Sequence, residues 1–191
     1  MIGELKPYPE YKDSYEPEIG RVPLEWDVAP LAQLGWFFKG RGGSKQDESD
    51  KGVRCIRYGD LYTQHEFVIR HSRARIGGGG GQNYTQIDHG DVLFAASGGT
   101  IDDIGRSAVS LLTDEVRCGG DVIVFRQNGR FDPQYLGYVC DARPSRIQKA
   151  RMGHGFTVVH IYGSELKRLN IPVPPPDEQA AASAERISDE V

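Results

Sequence analysis

The chain is short of cysteine, of long apolar runs and of positive charge, and each shortage removes a class of protein. Its three cysteines, Cys55, Cys118 and Cys140, are odd in number, widely spaced and set in apolar or strand-like contexts. That pattern predicts buried free thiols in place of a disulfide framework. No apolar stretch approaches the length of a bilayer span, and MIGELKPYPEYKD at the start has no apolar signal region, so the expectation is a cytoplasmic protein without membrane contact. With 23 Lys and Arg against 27 Asp and Glu, the net charge is −4. Such a balance excludes a generic nucleic-acid glue and leaves open a local basic face.

Reactive constellations are missing as well. The glycine-rich KGRGGSKQDESDKG at 39 to 52 lacks the Gly-Lys-Ser/Thr order of a phosphate-binding loop. An amino-methyltransferase needs a cofactor-binding glycine motif on a Rossmann-like unit and an Asn/Asp-Pro-Pro-aromatic loop for the flipped base, and neither is present. The five histidines (His65, His71, His89, His154, His160) are not spaced as a zinc site, and no Ser-His-Asp set has supporting context. Glu165 and Lys167 have a nuclease-like Glu-x-Lys spacing but no obvious upstream Asp on a neighbouring strand to help hold a divalent ion.

What the chain does have is glycine and proline punctuation, and its 24 glycines follow no repeat and so mark turns. Leu169 to Gln179, LNIPVPPPDEQ, concentrates Pro172, Pro174, Pro175 and Pro176. Proline fixes φ and supplies no backbone donor, which predicts an extended exit closed to helix and central strand alike. Asp177 then offers a cap, Glu178 complements a helix dipole, and Ala180, Ala181, Ala182 and Ala184 favour helix. A globular unit should end here and a protruding helix begin.

Residues 1 to 25 hold Pro7, Pro9, Pro17 and Pro23 with Tyr8, Tyr11 and Tyr15, and read as an extended, partly docked arm. Trp26 to Phe38 predicts a strand, a helical turn over Pro30 to Leu34 and a second strand, followed by a loop at 39 to 52 whose Lys39, Arg41 and Lys45 could follow a phosphate backbone. Val53 to Tyr58 and Glu66 to Ile76 read as strands joined through Gly59 and Asp60. The second carries Arg70, Arg73 and Arg75 opposite apolar residues, a pattern that suits a groove-facing surface and equally a solvated outer face. Glycines 77 to 81 lead into Gln82, Asn83 and Tyr84, a base-reading loop or a mere connection.

Asp91 to Ala96 and Ser107 to Leu112 predict a hairpin with SGGTIDDIG at its tip, and DVIVFR at 121 to 126 a central buried strand. Asp132 before Pro133 caps a helix that places Tyr135, Leu136, Val139 and Cys140 on one side. No acid occurs from Ala142 to Gly163, where Arg143, Arg146, Lys149 and Arg151 should face outward from anchors at Ile147 and Met152. His154 sits between glycines just beyond, and Ser164 should cap a short helix, ELKRLN.

Several of these stretches, taken in order, resemble the specificity subunit of type I restriction-modification enzymes. They are IGRVPLEWDVAPLAQLG at 19 to 35, VRCIRYGDL at 53 to 61, GDVLFAASGGTIDDIGRSAV at 90 to 109, GHGFTVVHI at 153 to 161 and the proline exit into Glu178-Gln179. In the family the hairpin tip is shorter, with Gly directly after Thr-Ile; here Asp102 and Asp103 intervene. The resemblance implies a mixed α+β target recognition domain with a twisted, largely antiparallel sheet and flanking helices at 26 to 176, an arm at 1 to 25 and the start of a coiled-coil spacer helix at 177 to 191. It implies a non-catalytic module that reads half of a bipartite site in double-stranded DNA. Modification subunits would supply adenosylmethionine, and restriction subunits ATP hydrolysis and Mg²⁺, with no cofactor on this chain.

A complete specificity subunit usually has two such domains, so the chain reads as a fragment, a truncated product or a half-subunit that dimerises through its carboxy-terminal helix. Candidate DNA contacts are Arg41, Lys45, Arg57, Arg70, Arg73, Arg75, Gln82, Asn83, Tyr84, Arg106, Arg146, Lys149, Arg151 and His154, with no catalytic or metal-ligating residue. The alternatives are an assembly scaffold that has lost DNA contact and, less favoured, a metal-dependent nuclease. If Arg73, Arg75, Arg146 and Lys149 line one concave face, DNA binding gains; if they scatter, the scaffold gains.

Overall fold

A strand that is apolar at every position buries both faces, and VIVF at 122 to 125 is the strand around which the architecture forms. The structure is a computed structural model describing residues 8–43, 47–77 and 80–189. Its first half contains β1 (Tyr11–Asp13), β2 (Arg21–Pro23), β3 (Asp27–Pro30), a 3-10 turn (Leu31–Gln33), β4 (Gly35–Lys39), β5 (Glu48–Ile56), α1 (Asp60–Thr63), β6 (Phe67–Ile69), β7 (Arg75–Ile76) and β8 (Thr85–Ile87). There follow β9 (Val92–Ala95), β10 (Ser97–Gly98), β11 (Ser107–Ser110), β12 (Val116–Cys118), β13 (Val122–Gln127), α2 (Pro133–Asp141), α3 (Arg143–Met152), β14 (Val159–His160), α4 (Gly163–Leu166), β15 (Asn170–Val173) and α5 (Pro176–Asp189).

Two sheets form the body, one of five strands in the order β4-β13-β9-β11-β6 and one of four in the order β7-β5-β12-β8. The expected mixed α+β class holds, with every ladder antiparallel except β6 with β11 and β5 with β12. Alternation along β9 and β13 divides the core. Phe94, Ile123 and Phe125 face Leu136, Ile161 and Leu166 on the helical side. Leu93, Val122 and Val124 face Ile56, Ile87, Val116 and Cys118 of the second sheet. α2 lies so close to the first sheet that a Cβ on Gly137 would stand 2.4 Å from the Phe67 carbonyl oxygen.

The β3, 3-10 turn and β4 succession follows the sequence expectation, as does the α2 start, where Asp132 accepts the Tyr135 amide at 3.0 Å and Pro133 opens the helix. Elsewhere the structure corrects it. The predicted loop at 39 to 52 already enters β5 at Glu48, which reaches Ile76 through a bulge. The predicted strand at 66 to 76 is broken into β6 and β7, which join different sheets, and α1 precedes it. Pro172 lies inside β15, tolerated because β15 pairs only with β3. Tyr162, not Ser164, stands at the cap position of α4, where its amide donates to Glu165 at 2.9 Å.

The carboxy-terminal helix does not protrude from its first residue. Gln179 and Ser183 are buried, and Gln179 accepts the Asp132 amide at 2.9 Å while donating to the Pro174 carbonyl. Glu178 accepts from Tyr8 Oη and from Trp26 Nε1, at 2.7 Å in the second case. The β1–β2 hairpin is held as well, since Asn170 donates to Glu16 at 2.6 Å and Arg151 pairs with Glu18. No helix among the described residues is long and apolar enough to cross a membrane.

Candidate nucleic-acid interface

Where the two sheets meet, the end of β4, the end of β5 and the turn from β12 to β13 leave a cleft of about 650 Å³. Lys39, Arg41, Glu48, Arg57, Tyr58 and Asp121 line it around a floor of glycines. Lys39 and Asp121 also line a neighbouring, more apolar cleft of about 280 Å³ that includes Phe37, His160, Tyr162 and Lys167. The two clefts adjoin through those two shared residues. Tyr58 and Tyr162 are large exposed aromatics on them, and Lys39, Arg41 and Lys167 are exposed cations. Beside them, Ser97 Oγ and His160 Nδ1 are 3.1 Å apart, and the turn between His154 and His160 carries a fully exposed Phe156. Cations for phosphates, flat rings for stacking and mixed donors and acceptors are the groups a nucleic-acid surface uses.

Of the residues singled out from the sequence, Arg41, Arg57 and Tyr84 meet in the larger cleft. Tyr84 is buried, its hydroxyl 3.1 Å from Asp47, so it forms part of the wall and is not a base reader. Gln82 and Asn83 are exposed beside it, and Lys45 lies outside the described residues. Arg70 is exposed and donates to Gln134 at 3.1 Å; Arg73 is exposed; Arg75 donates to the Gly52 carbonyl at 3.0 Å. Arg151 and His154 are exposed away from the cleft lining.

The larger correction concerns Lys149, whose side chain is fully buried and cannot touch a duplex. Its Nζ donates to the carbonyls of Gly105 (2.6 Å) and Cys140 (2.9 Å) and to Asp141 (3.0 Å), with Ser107 Oγ at 3.3 Å. Asp141 also accepts from Arg146 at 2.8 Å and has Arg106 Nε at 3.2 Å. Arg106 and Arg146 are therefore turned toward a buried carboxylate. Arg73, Arg75, Arg146 and Lys149 scatter and none lines either cleft, which by the criterion set from the sequence favours a scaffold. Cations do line the two clefts, but they are Lys39, Arg41, Arg57 and Lys167. Tyr58, Asp121, Tyr162 and Lys167 were missed, and only Tyr58, beside Arg57 in RYGD, carried a local signal.

Burial pushes the thiols of Cys55, Cys118 and Cys140 up to about 12, leaving them protonated and inert. Among the described residues no group of three His, Cys, Asp or Glu could hold a metal ion. His65 is buried against the edge of the His71 ring, and desolvation lowers its pKa despite Asp60. The unfolded chain takes up a proton at this position near pH 6.5 while the folded one does so only lower, so its contribution to stability is present above about pH 6.5 and is lost as pH falls. Replacing His65 with leucine should flatten the acid side of the stability curve, checked by urea unfolding at pH 7 and 5.5; an unchanged slope would assign the acid loss elsewhere.

This architecture is the fold found in specificity subunits of type I restriction-modification systems. The MjaVIII type I restriction enzyme specificity subunit of Methanocaldococcus jannaschii is 22% identical over 192 residues, covering 93% of this chain and 42% of that protein. A chain from a structural study of complex assembly and conformational transition in the type I system superposes with a TM-score of 0.63 at 17% identity, over 99% of this chain and 42% of that one. The S subunit from M. genitalium gives 0.60 at 18% identity, over 86% of this chain and 39% of that one. The HsdS subunit from Thermoanaerobacter tengcongensis gives 0.62 at 16%, over 88% and 39%. The chain thus spans about two fifths of the length of these relatives. No family model matches it.

Proposed function

We propose that this chain reads DNA sequence for a type I restriction-modification system, taking one half of a bipartite site and directing methyltransferase and endonuclease subunits to it. The observation that carries this reading is a specificity-subunit fold over almost the whole chain, with cations and exposed aromatics gathered on two adjoining clefts. Adenosylmethionine, ATP and Mg²⁺ belong to the partner subunits in this scheme, and the chain itself contributes shape and charge.

Paired with a modification subunit, the chain should direct adenine methylation to a defined set of sites, mapped by sequencing methylated bases across a genome. Methylation unchanged by the presence of the chain would refute the reading. Lys39→Ala and Arg41→Ala should each weaken DNA binding at all sequences alike and lower the slope of log K against log salt by about 1, since each removes one phosphate contact.

A further inference from the structure

We infer that the larger cleft reads a G·C base pair, with Arg57 on the guanine edge and Asp121 on the paired cytosine; the inference rests on the DNA-reading function proposed above. Arg57 is held at both ends. Its amide donates to the Asp60 carboxylate at 2.8 Å and its carbonyl accepts the Asp60 amide at 3.0 Å, which fixes the turn leaving β5. Its Nη1 lies 2.8 Å from Glu48 across the mouth of the cleft. Among the described residues that one carboxylate engages one of the guanidinium nitrogens, and the remaining N–H groups keep their fork geometry. The side chain is still 39% exposed, so it is oriented without being covered.

The lining of the cleft carries both signs of charge. Glu48 and Asp121 stand among Lys39, Arg41 and Arg57, and a lining of both signs suits an edge that offers both acceptors and a donor. In the major groove guanine presents two acceptors, O6 and N7, and cytosine one amino donor, the set that an arginine fork and an aspartate satisfy together. The floor is preformed. A Cβ on Gly40 would stand 2.0 Å from the Gly119 carbonyl oxygen, and one on Gly42, whose φ is +88°, would stand 2.7 Å from the Tyr84 ring. The Gly120 amide donates to the Gly42 carbonyl at 2.9 Å, closing the floor between the sheets. Exposed Tyr58 supplies a flat ring at the rim.

The test uses the full chain with a modification subunit and a library of duplexes randomised within the half-site, read out by methylation. The wild type should demand G·C at one position. Arg57→Ala and Arg57→Lys should both relax that position alone, with a discrimination loss of about tenfold or more. Arg57→Lys keeps the charge and the fold, so it decides the matter if the alanine variant melts early. Asp121→Asn should relax the same position. Equal loss at every sequence, full specificity in Arg57→Lys, or protection of the wild-type cleft by inorganic phosphate at millimolar concentration would make this a phosphate site and overturn the inference while leaving the proposed function standing. A wild-type chain that directs no methylation would remove both.

Discussion

Replacing Lys149 with alanine should destabilise the protein by about 3–5 kcal/mol, the range found when one partner is removed from a buried ion pair. The loss has two sources that a second variant separates. Alanine removes one of the three cations around Asp141, strands the Gly105 carbonyl, leaves the Cys140 carbonyl only the Ser107 hydroxyl at 3.2 Å, and opens a cavity beside Phe94, over whose ring the ammonium lies at 5.5 Å. Lys149→Met restores most of the volume and none of the donors. If electrostatics and hydrogen bonding dominate, methionine recovers little of the loss, because the Gly105 carbonyl remains unpaired and Asp141 still lacks its one fully buried cation. Asp141→Asn should be comparably costly, since it leaves Lys149, Arg106 and Arg146 around a neutral amide. Urea unfolding followed by circular dichroism measures all three, and a methionine variant within 1 kcal/mol of wild type would sink the argument. The network joins Gly105, at the end of the hairpin tip, to the end of α2 and to α3, so the same variants should loosen the tip.

The same residues show why only part of the fold could be read in advance. DVIVFR announced a buried strand, and Asp132-Pro133 a helix start, because one physical cause acts locally in each. In α3 the local cues point the wrong way. Hydrophobicity assigns Ile147 inward and the basic residues outward, but Ile147 is 36% exposed and the buried positions are Ser145, Gln148 and Lys149. That inward face is polar because its neighbours are unpaired backbone: Ser145 donates to the Val139 carbonyl at 2.6 Å, and Gln148 makes two bonds with the Asn170 backbone, each at 3.0 Å. Val139, Cys140 and Asp141 lie close by in sequence, but Gly105, Ser107 and Asn170 reach this face only through the fold. The break between β6 and β7 is similar, since the two pair with β11 and β5 in different sheets. The cleft was half legible, as glycines and basic residues at 39 to 43 and as RYGD at 57 to 60. Asp121 and the Tyr162–Lys167 rim reach it only through the folded sheets.

Asp132→Ala should cost about 2–3 kcal/mol, more than an ordinary helix cap, because the residue serves two helices at once. Its carboxylate accepts the Tyr135 amide at the start of α2 and the Ser183 hydroxyl from α5, while its own amide donates to Gln179. Losing the cap alone accounts for about 1 kcal/mol, and the charge-assisted bond from a nearly buried serine for the remainder. Asp132→Asn separates the two, since asparagine caps nearly as well but presents a weaker acceptor to Ser183. Gln179→Leu approaches from the other side, leaving the Asp132 amide and the Pro174 carbonyl without partners in a buried setting. Amide exchange distinguishes a general loss of stability from a local one. Exchange at Ala180 to Ala184 should accelerate in all three variants, whereas amides of β9 and β13 should respond only as far as global stability falls. The functional consequence follows from geometry. With Glu178 held by Trp26 and Gln179 and Ser183 held by Asp132, the direction in which α5 leaves the domain is fixed over its first two turns. Under the proposed DNA-reading function, a variant that frees those turns should keep its base preference in the methylation assay and lose efficiency at sites where two half-sites must be held at one spacing. Unaltered efficiency in Asp132→Ala, with the exchange change present, would show that the docked start of α5 does not set that spacing.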